Sequence, residues 1–211
     1  MDAQYFRRTF GVMVFRDWLS RENVLWYYVN NERIALYEKG INELKEKGFK
    51  VLGIVADGKK GLMERFEEPI QMCQFHQIQN VRRYITNNPK LQAGIELKQI
   101  TERLTKTDRP GFEFWLNMWF VKWQDFLKER TIDPVTGRKT FTHRRLRSAY
   151  RSLKTNIQYL FVYLDHLDIN MPNTTNSLEG SFAHVKDKVR LHRGLKLDRK
   201  KKLIDELLKK K

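Results

Sequence analysis

The sequence predicts a mixed α/β fold, and three observations predict it. The first third holds short runs of aromatic and β-branched residues, a continuous apolar run then stops at Asp57-Gly58, and from about residue 77 apolar residues recur at helical spacing. With 211 residues, 41% of them apolar, the chain can bury a real core in one domain or two small ones.

Residues 10–16 and 23–29 read as strands, and the polar stretch between them, with Asp17, Ser20, Arg21 and Glu22, reads as a hairpin connection. Tyr5 and Phe6 place another strand before them. Ile34, Tyr37, Ile41 and Leu44 follow at helical spacing, with Gly48 placed to end that helix. Residues 51–56 are apolar without alternation, as expected of a strand buried on both faces and therefore central in its sheet. A short helix fits residues 59–66, and residues 70–75 read as a further strand. Helices fill residues 77–130, one of them carrying Trp115, Trp119 and Trp123 at intervals of four; that stripe reads as a buried face or, less simply, as a stacking platform for unpaired bases. The segment Asp133-Pro134-Val135-Thr136-Gly137 is a turn, after which helix resumes through residue 164. Residues 170–176 break the pattern before two last helices, from about 177 to 191 and from 198 to the end. This gives three regions: 1–76, a mainly helical 77–169, and 170–211.

The net charge is +16, and fifteen of those charges fall in two segments, residues 138–154 and 180–211. Clustering is what solubility does not need, so nucleic acid is the leading partner and a solvated basic surface the plain alternative. The residues placed to meet phosphates are Arg144, Arg145, Arg147 and Arg151 in the first segment, and Lys186, Lys188, Arg190 and Arg193 in the second. One cysteine, Cys73, excludes an intramolecular disulfide and fits a reducing cytoplasm, nucleoid-associated if the cell is prokaryotic. No apolar run approaches the roughly 18 residues a membrane span needs.

Three acids stand where chemistry is expected. Asp57 ends the apolar run, although Asp-Gly is also a common turn pair. Asp2 lies in the first strand of the same sheet. Glu179 opens a late helix, three residues after Asn176, a spacing that also suits a capping box. Converging, the three would offer oxygen ligands to hard divalent cations. A zinc site is not expected at Cys73 and His76, since only His143, His166, His184 and His192 remain as further nitrogen ligands. A buried thiol and a hydrogen-bonded core histidine are the plain reading of that pair.

Four segments taken in order, Met1-Asp2-Ala3-Gln4-Tyr5-Phe6-Arg7-Arg8 through Val14-Phe15-Arg16-Asp17, Gly53-Ile54-Val55-Ala56-Asp57-Gly58, Cys73-Gln74-Phe75-His76 and Thr175-Asn176-Ser177-Leu178-Glu179-Gly180, resemble the motif set of Mutator-like insertion-sequence transposases. The resemblance implies an RNase H-like mixed sheet with flanking helices and a mainly helical insertion between the second Asp and the Glu. It implies two Mg²⁺ or Mn²⁺ ions on Asp2, Asp57 and Glu179, with His76 near the scissile phosphate. It also implies cleavage and strand transfer of DNA, transposon ends and target DNA as partners, and a homo-oligomer in the active complex. Members carry a DNA-binding region before the first Asp, so the expectation is an N-terminally truncated catalytic region. A nuclease of the same fold without strand transfer and an inactive DNA-binding or oligomerising fragment are the competing expectations.

Overall fold

The computed structural model describes residues 1–6 and 10–209. Arg7 and Arg8, which belong to the first motif segment, lie outside the described residues. Strands β1 (Asp2–Phe6), β2 (Phe10–Arg16) and β3 (Asn23–Val29) form an antiparallel sheet in that order, with Asp2 opposite Val14 and Val14 opposite Trp26. A parallel pair, β4 (Ile54–Ala56) and β5 (Ile70–Met72), follows helix α1 (Ile34–Glu46). The Met1 amino group donates to the Val55 carbonyl at 2.8 Å, which brings β4 to the start of β1.

Strand β2 is buried on both faces, and its alternation divides the core. Met13 and Phe15 face α1 and join a core that continues through Tyr37, Ile41 and Leu44 into the later helices. Phe10, Val12 and Val14 face the other way, against Leu178, Phe182, Val185, Ile204 and Leu208. Those five belong to α7 (Asn176–Leu191) and α8 (Leu197–Lys209), which therefore cover the second face. The outer helix is pinned to β3, where Trp26 Nε1 and Tyr28 Oη both donate to Asp205 Oδ1 at 2.8 Å.

Between the sheet and α7 come α2 (Gln74–Ile85), α3 (Gln92–Glu102), α4 (Arg109–Lys128), a hairpin of β6 (Arg130–Ile132) and β7 (Lys139–Phe141), α5 (Arg144–Leu160) and the single turn α6 (Val162–Asp165). The apolar core of these helices is continuous with that of the sheet. Residue 76, where the sequence reading ends its first region, lies in the first turn of α2. Trp119 is buried and donates from Nε1 to the Ala93 carbonyl, and Trp123 donates to Glu96, so both belong to the helix-packing face. Trp115 is 44% exposed with Arg103 over its ring.

Three buried glutamines at intervals of three hold this region to the sheet. Gln71 and Gln74 both donate to the Leu160 carbonyl at the end of α5, at 2.9 and 2.8 Å, and Gln71 Oε1 accepts from the Tyr163 amide. Gln74 Oε1 accepts from Asn173 while the Gln74 amide donates to the Asn173 carbonyl, which fixes the loop that leads into α7. Gln77 pairs with Asn156 and Ser152 on α5.

Several expectations are corrected. The run 51–56 is strand only at Ile54–Ala56, because its parallel partner spans only Ile70–Met72 and Leu52 turns to solvent. The strand buried on both faces and flanked on both sides in the three-stranded sheet is β2. Residues 59–66 form turns instead of a helix, since Gly58 and Gly61 take positive φ (81° and 80°) that interrupts right-handed winding. The strand expected over 70–75 stops at Met72, and α2 starts at Gln74. The Asp133 turn closes the β6–β7 hairpin, with Asp133 Oδ1 accepting from the Val135 and Thr136 amides at 2.9 Å, so the region is not free of strands. Gly48 ends α1 as expected, with φ 86° and the Phe49 amide donating back to Leu44.

Helix α1 crosses β2 so closely that the Phe15 ring lies over Gly40, where an added Cβ would stand 2.1 Å from the ring. Phe15 is boxed by Tyr27 and Tyr37 and cannot swing away. Gly40→Ala is therefore expected to lower stability by about 1–3 kcal/mol, read as a fall in the urea midpoint at unchanged slope.

Candidate active site

A cleft of about 530 Å³ is lined by Asp2, Asp57, His76 and Glu179, brought together from four distant segments. Asp2 stands at the start of β1, and Asp57 directly follows β4. His76 occupies the first turn of α2 just past β5. Glu179 reaches the cleft because of helical phase: Leu178, Phe182 and Val185 face the sheet, so Glu179, Ala183 and Lys186, each one residue on, turn about 100° away and toward the strand ends. A more apolar groove of about 320 Å³, bounded by Phe15, Trp18, Phe49 and Leu178, contains none of the four.

Each acid has a local bond and a free side. Asp57 Oδ1 accepts from the Lys59 amide at 3.0 Å, the turn bond expected of Asp-Gly, yet the residue also lines the cleft. Asp2 Oδ1 accepts from the Ala3 amide at 2.7 Å. Glu179 does not complete a capping box: Thr175 is the N-cap without a side-chain cap bond, and its hydroxyl lies 3.2 Å from Glu179 Oε1. That hydroxyl also lies 3.3 Å from Cys73 Sγ, and the Thr175 amide donates to the same sulfur at 3.3 Å. One hydroxyl proton serves one acceptor at a time, so Thr175 is shared between sulfur and carboxylate.

His76 Nδ1 is buried near Cys73 and Glu179, 3.7 Å from Glu179 Oε1 and without a completed hydrogen bond. Contact with the Cys73 sulfur, opposed by burial and reinforced by the charges of Cys73, Asp2 and Glu179, pushes the imidazole up to about 9. Burial alone would raise the Cys73 thiol, but His76 and Thr175 outweigh it and hold the thiol below its ordinary value. Burial pushes the Asp2 carboxyl up to about 6, with Asp57 adding to the effect and His76 opposing it.

Oxygen donors on three sides suit hard divalent cations by their chemistry, and the raised Asp2 carboxyl is a buried charge that a cation would relieve. Among the described residues, however, the donor atoms that come within 4.8 Å of one another are those of Cys73, His76 and Glu179. The three carboxylates share the cleft without forming such a group.

The basic residues divide between structure and surface. Arg145 donates to the Arg83 carbonyl at the end of α2, and Arg147 donates to the Leu127 carbonyl at the end of α4, so both satisfy helix-terminal acceptors. Arg147 also stacks on Phe141. Arg144 and Arg151 are exposed. Lys186 lines the cleft, and with Arg190 and Arg193 it continues along a neighbouring hollow floored by Tyr5, Phe6 and Phe10; Lys188 faces solvent. Sequence reasoning missed Glu32, Lys59, Asn80 and Arg83, which also line the cleft. Nothing in their spacing marks them. Glu32 is engaged by Tyr37 at 2.6 Å and by Lys59 at 3.5 Å.

Comparison with family models, with curated proteins and with solved structures finds no match.

A carboxyl raised on folding contributes stability that is present below its unfolded value of 3.8 and lost as pH rises through about 6. Asp2→Asn keeps an acceptor for the Ala3 amide and removes the buried charge. The variant is expected to gain roughly 2–3 kcal/mol over the parent at pH 7 in metal-free buffer and to match it near pH 3.5, measured by urea unfolding at both values.

Proposed function

We propose that this chain is the catalytic region of a DDE-type transposase resembling the Mutator-like insertion-sequence family, acting on DNA phosphodiesters. The observation that carries the reading is that Asp2, Asp57, His76 and Glu179, named by the ordered motifs, line one cleft with cationic side chains at its mouth. The antiparallel sheet carrying Asp2, joined at Met1 to the parallel pair that ends at Asp57, supports the RNase H-like reading of the mixed α/β fold. The intervening helices stand where that family has its insertion.

Asp2, Asp57 and Glu179 would hold the divalent cations. When bound, two Mg²⁺ or Mn²⁺ ions supply Lewis acidity toward the attacking and leaving oxygens of an in-line displacement. The remaining work falls to the chain. The His76 imidazolium, charged at neutral pH, faces the cleft as a phosphate contact. Lys59, Arg83 and Lys186 draw the DNA backbone to the same opening. Lys186 and Arg190 extend that attraction along α7, whose first turn carries Glu179, and Arg193 continues it just past the helix end. In an active complex with transposon ends and target DNA, a homo-oligomer would hold the two ends.

A second reading, a DNA-binding fragment without catalysis, is favoured by one observation: the three carboxylates do not approach one another closely enough to form a shared-ion group. An assay with pre-cut DNA ends and Mn²⁺ separates the readings. Joined product lost in Asp57→Asn and Glu179→Gln is the expected result; shortened product alone indicates a nuclease, and a gel shift with neither product supports the silent fragment.

The salt dependence of duplex binding tests the α7 track. Replacing Lys186, Arg190 and Arg193 by Gln is expected to lower the log–log salt slope by up to about 3, since each phosphate neutralised contributes about 0.9. Arg145→Gln and Arg147→Gln should instead lower the unfolding midpoint, because they remove bonds to helix ends.

A further inference from the structure

We propose that Cys73, His76 and Glu179 form a binding site for a borderline-soft divalent ion, zinc above all, that draws on the same glutamate as the acidic triad. The three donor atoms already lie within 4.8 Å of one another, with His76 Nδ1 3.7 Å from Glu179 Oε1. A tetrahedral ion at about 2.0–2.3 Å from each would set them about 3.5 Å apart, so closing the site takes side-chain shifts of about an ångström. One sulfur, one nitrogen and one oxygen with a fourth position open is a zinc ligand set, and a thiolate discriminates against Mg²⁺.

The surroundings are those of a metal site. Nδ1 of His76 is buried between the Cys73 sulfur and Glu179 Oε1 with no hydrogen bond of full geometry completed. Cys73 Sγ accepts from the Thr175 amide, with the Thr175 hydroxyl also at 3.3 Å, the kind of outer hydrogen bonding that stabilises a ligating thiolate. Thr175 also reaches Glu179, so a single residue orients two of the three ligands. The ligands come from the first turns of α2 and α7 and the residue before α2, elements fixed to each other by Gln74 and Asn173, so the site is held on rigid supports. Its consequence for DNA chemistry rests on the proposed function: an ion bound here occupies Glu179 and leaves Asp2 and Asp57 without their third acid. The binding itself does not depend on that reading.

Cobalt(II) makes the site visible, because sulfur coordination gives a charge-transfer band in the near ultraviolet and Cys73 is the one cysteine of the chain. Titration of the metal-free 211-residue chain with Co²⁺, without DNA, is expected to give that band and tetrahedral visible absorption at one equivalent, both erased by equimolar Zn²⁺ and retained in excess Mg²⁺. Cys73→Ser should remove the band, with circular dichroism confirming the fold. His76→Gln and Glu179→Gln should each weaken Co²⁺ binding by more than about tenfold, and Thr175→Val by up to about tenfold through loss of the hydroxyl's outer hydrogen bond, the amide bond to sulfur remaining. Octahedral spectra with no sulfur band in the parent protein, or a band unchanged in both the His76 and Glu179 variants, would overturn the proposal. Both readouts come from the protein and ion alone, so failure of DNA cleavage leaves them standing, and their failure leaves the cleavage assay informative.

Discussion

The two-sided burial of β2 is the constraint from which the rest of the structure follows. A strand with Phe, Val and Val on one face and Met and Phe on the other cannot leave either face in water, so the sheet needs a cover on both sides. Helix α1 meets the first need and sits so close that Gly40 is required beneath Phe15. The second need draws α7 and α8 back to the first strands from the far end of the chain. That return brings Glu179 into the cleft that Asp2 and Asp57 line, since a helix that buries Leu178 and Phe182 must turn its next face toward the strand ends.

A polar framework makes the return accurate. Apolar contacts are non-directional and would let α7 slide over the sheet, but the Gln74–Asn173 pair and the Cys73–Thr175 contacts fix both the loop and the register of the helix it starts. Gln71 and Gln74 share the Leu160 carbonyl, so the end of α5 is tied into the same framework. Gln71, Gln74, Cys73 and Thr175 are buried and find partners within this framework, a condition under which polar groups specify one arrangement instead of weakening the core. The cleft beside it is different. It gathers Asp2, Glu32, Asp57 and Glu179 with the His76 imidazolium; burial raises the Asp2 carboxyl there, while the Cys73 thiol beside His76 is held below its ordinary value against the pull of desolvation. Several titratable groups shifted by burial and by one another in one place make this hollow the candidate ligand site of the fold.

By itself the sequence determined the mixed α/β class and the bounds of β2, β3, α1 and α7 to within a residue or two, and it singled out Asp2, Asp57 and Glu179, which line one cleft, while missing Glu32. Period, composition and capping are local properties, and each of these elements has a strong local pattern. Gly48 at the end of α1 is one example, since a positive φ is a property of a single residue. The strand over 51–56 and the helix over 59–66 were not decided locally: the length of β4 depends on how far β5 runs beside it, and the turns at Gly58 and Gly61 override a stretch that otherwise suits a helix. Tertiary structure alone assigned Arg145 and Arg147 to helix ends, since a guanidinium reads the same in sequence whether it meets a phosphate or a carbonyl. It alone brought Glu179 to Cys73 and His76, residues about a hundred positions away, because no local pattern records which face of one helix will meet the first turn of another. The acids were legible as residues, and their spacing in the cleft was not, because side-chain distances are set by packing across the whole core.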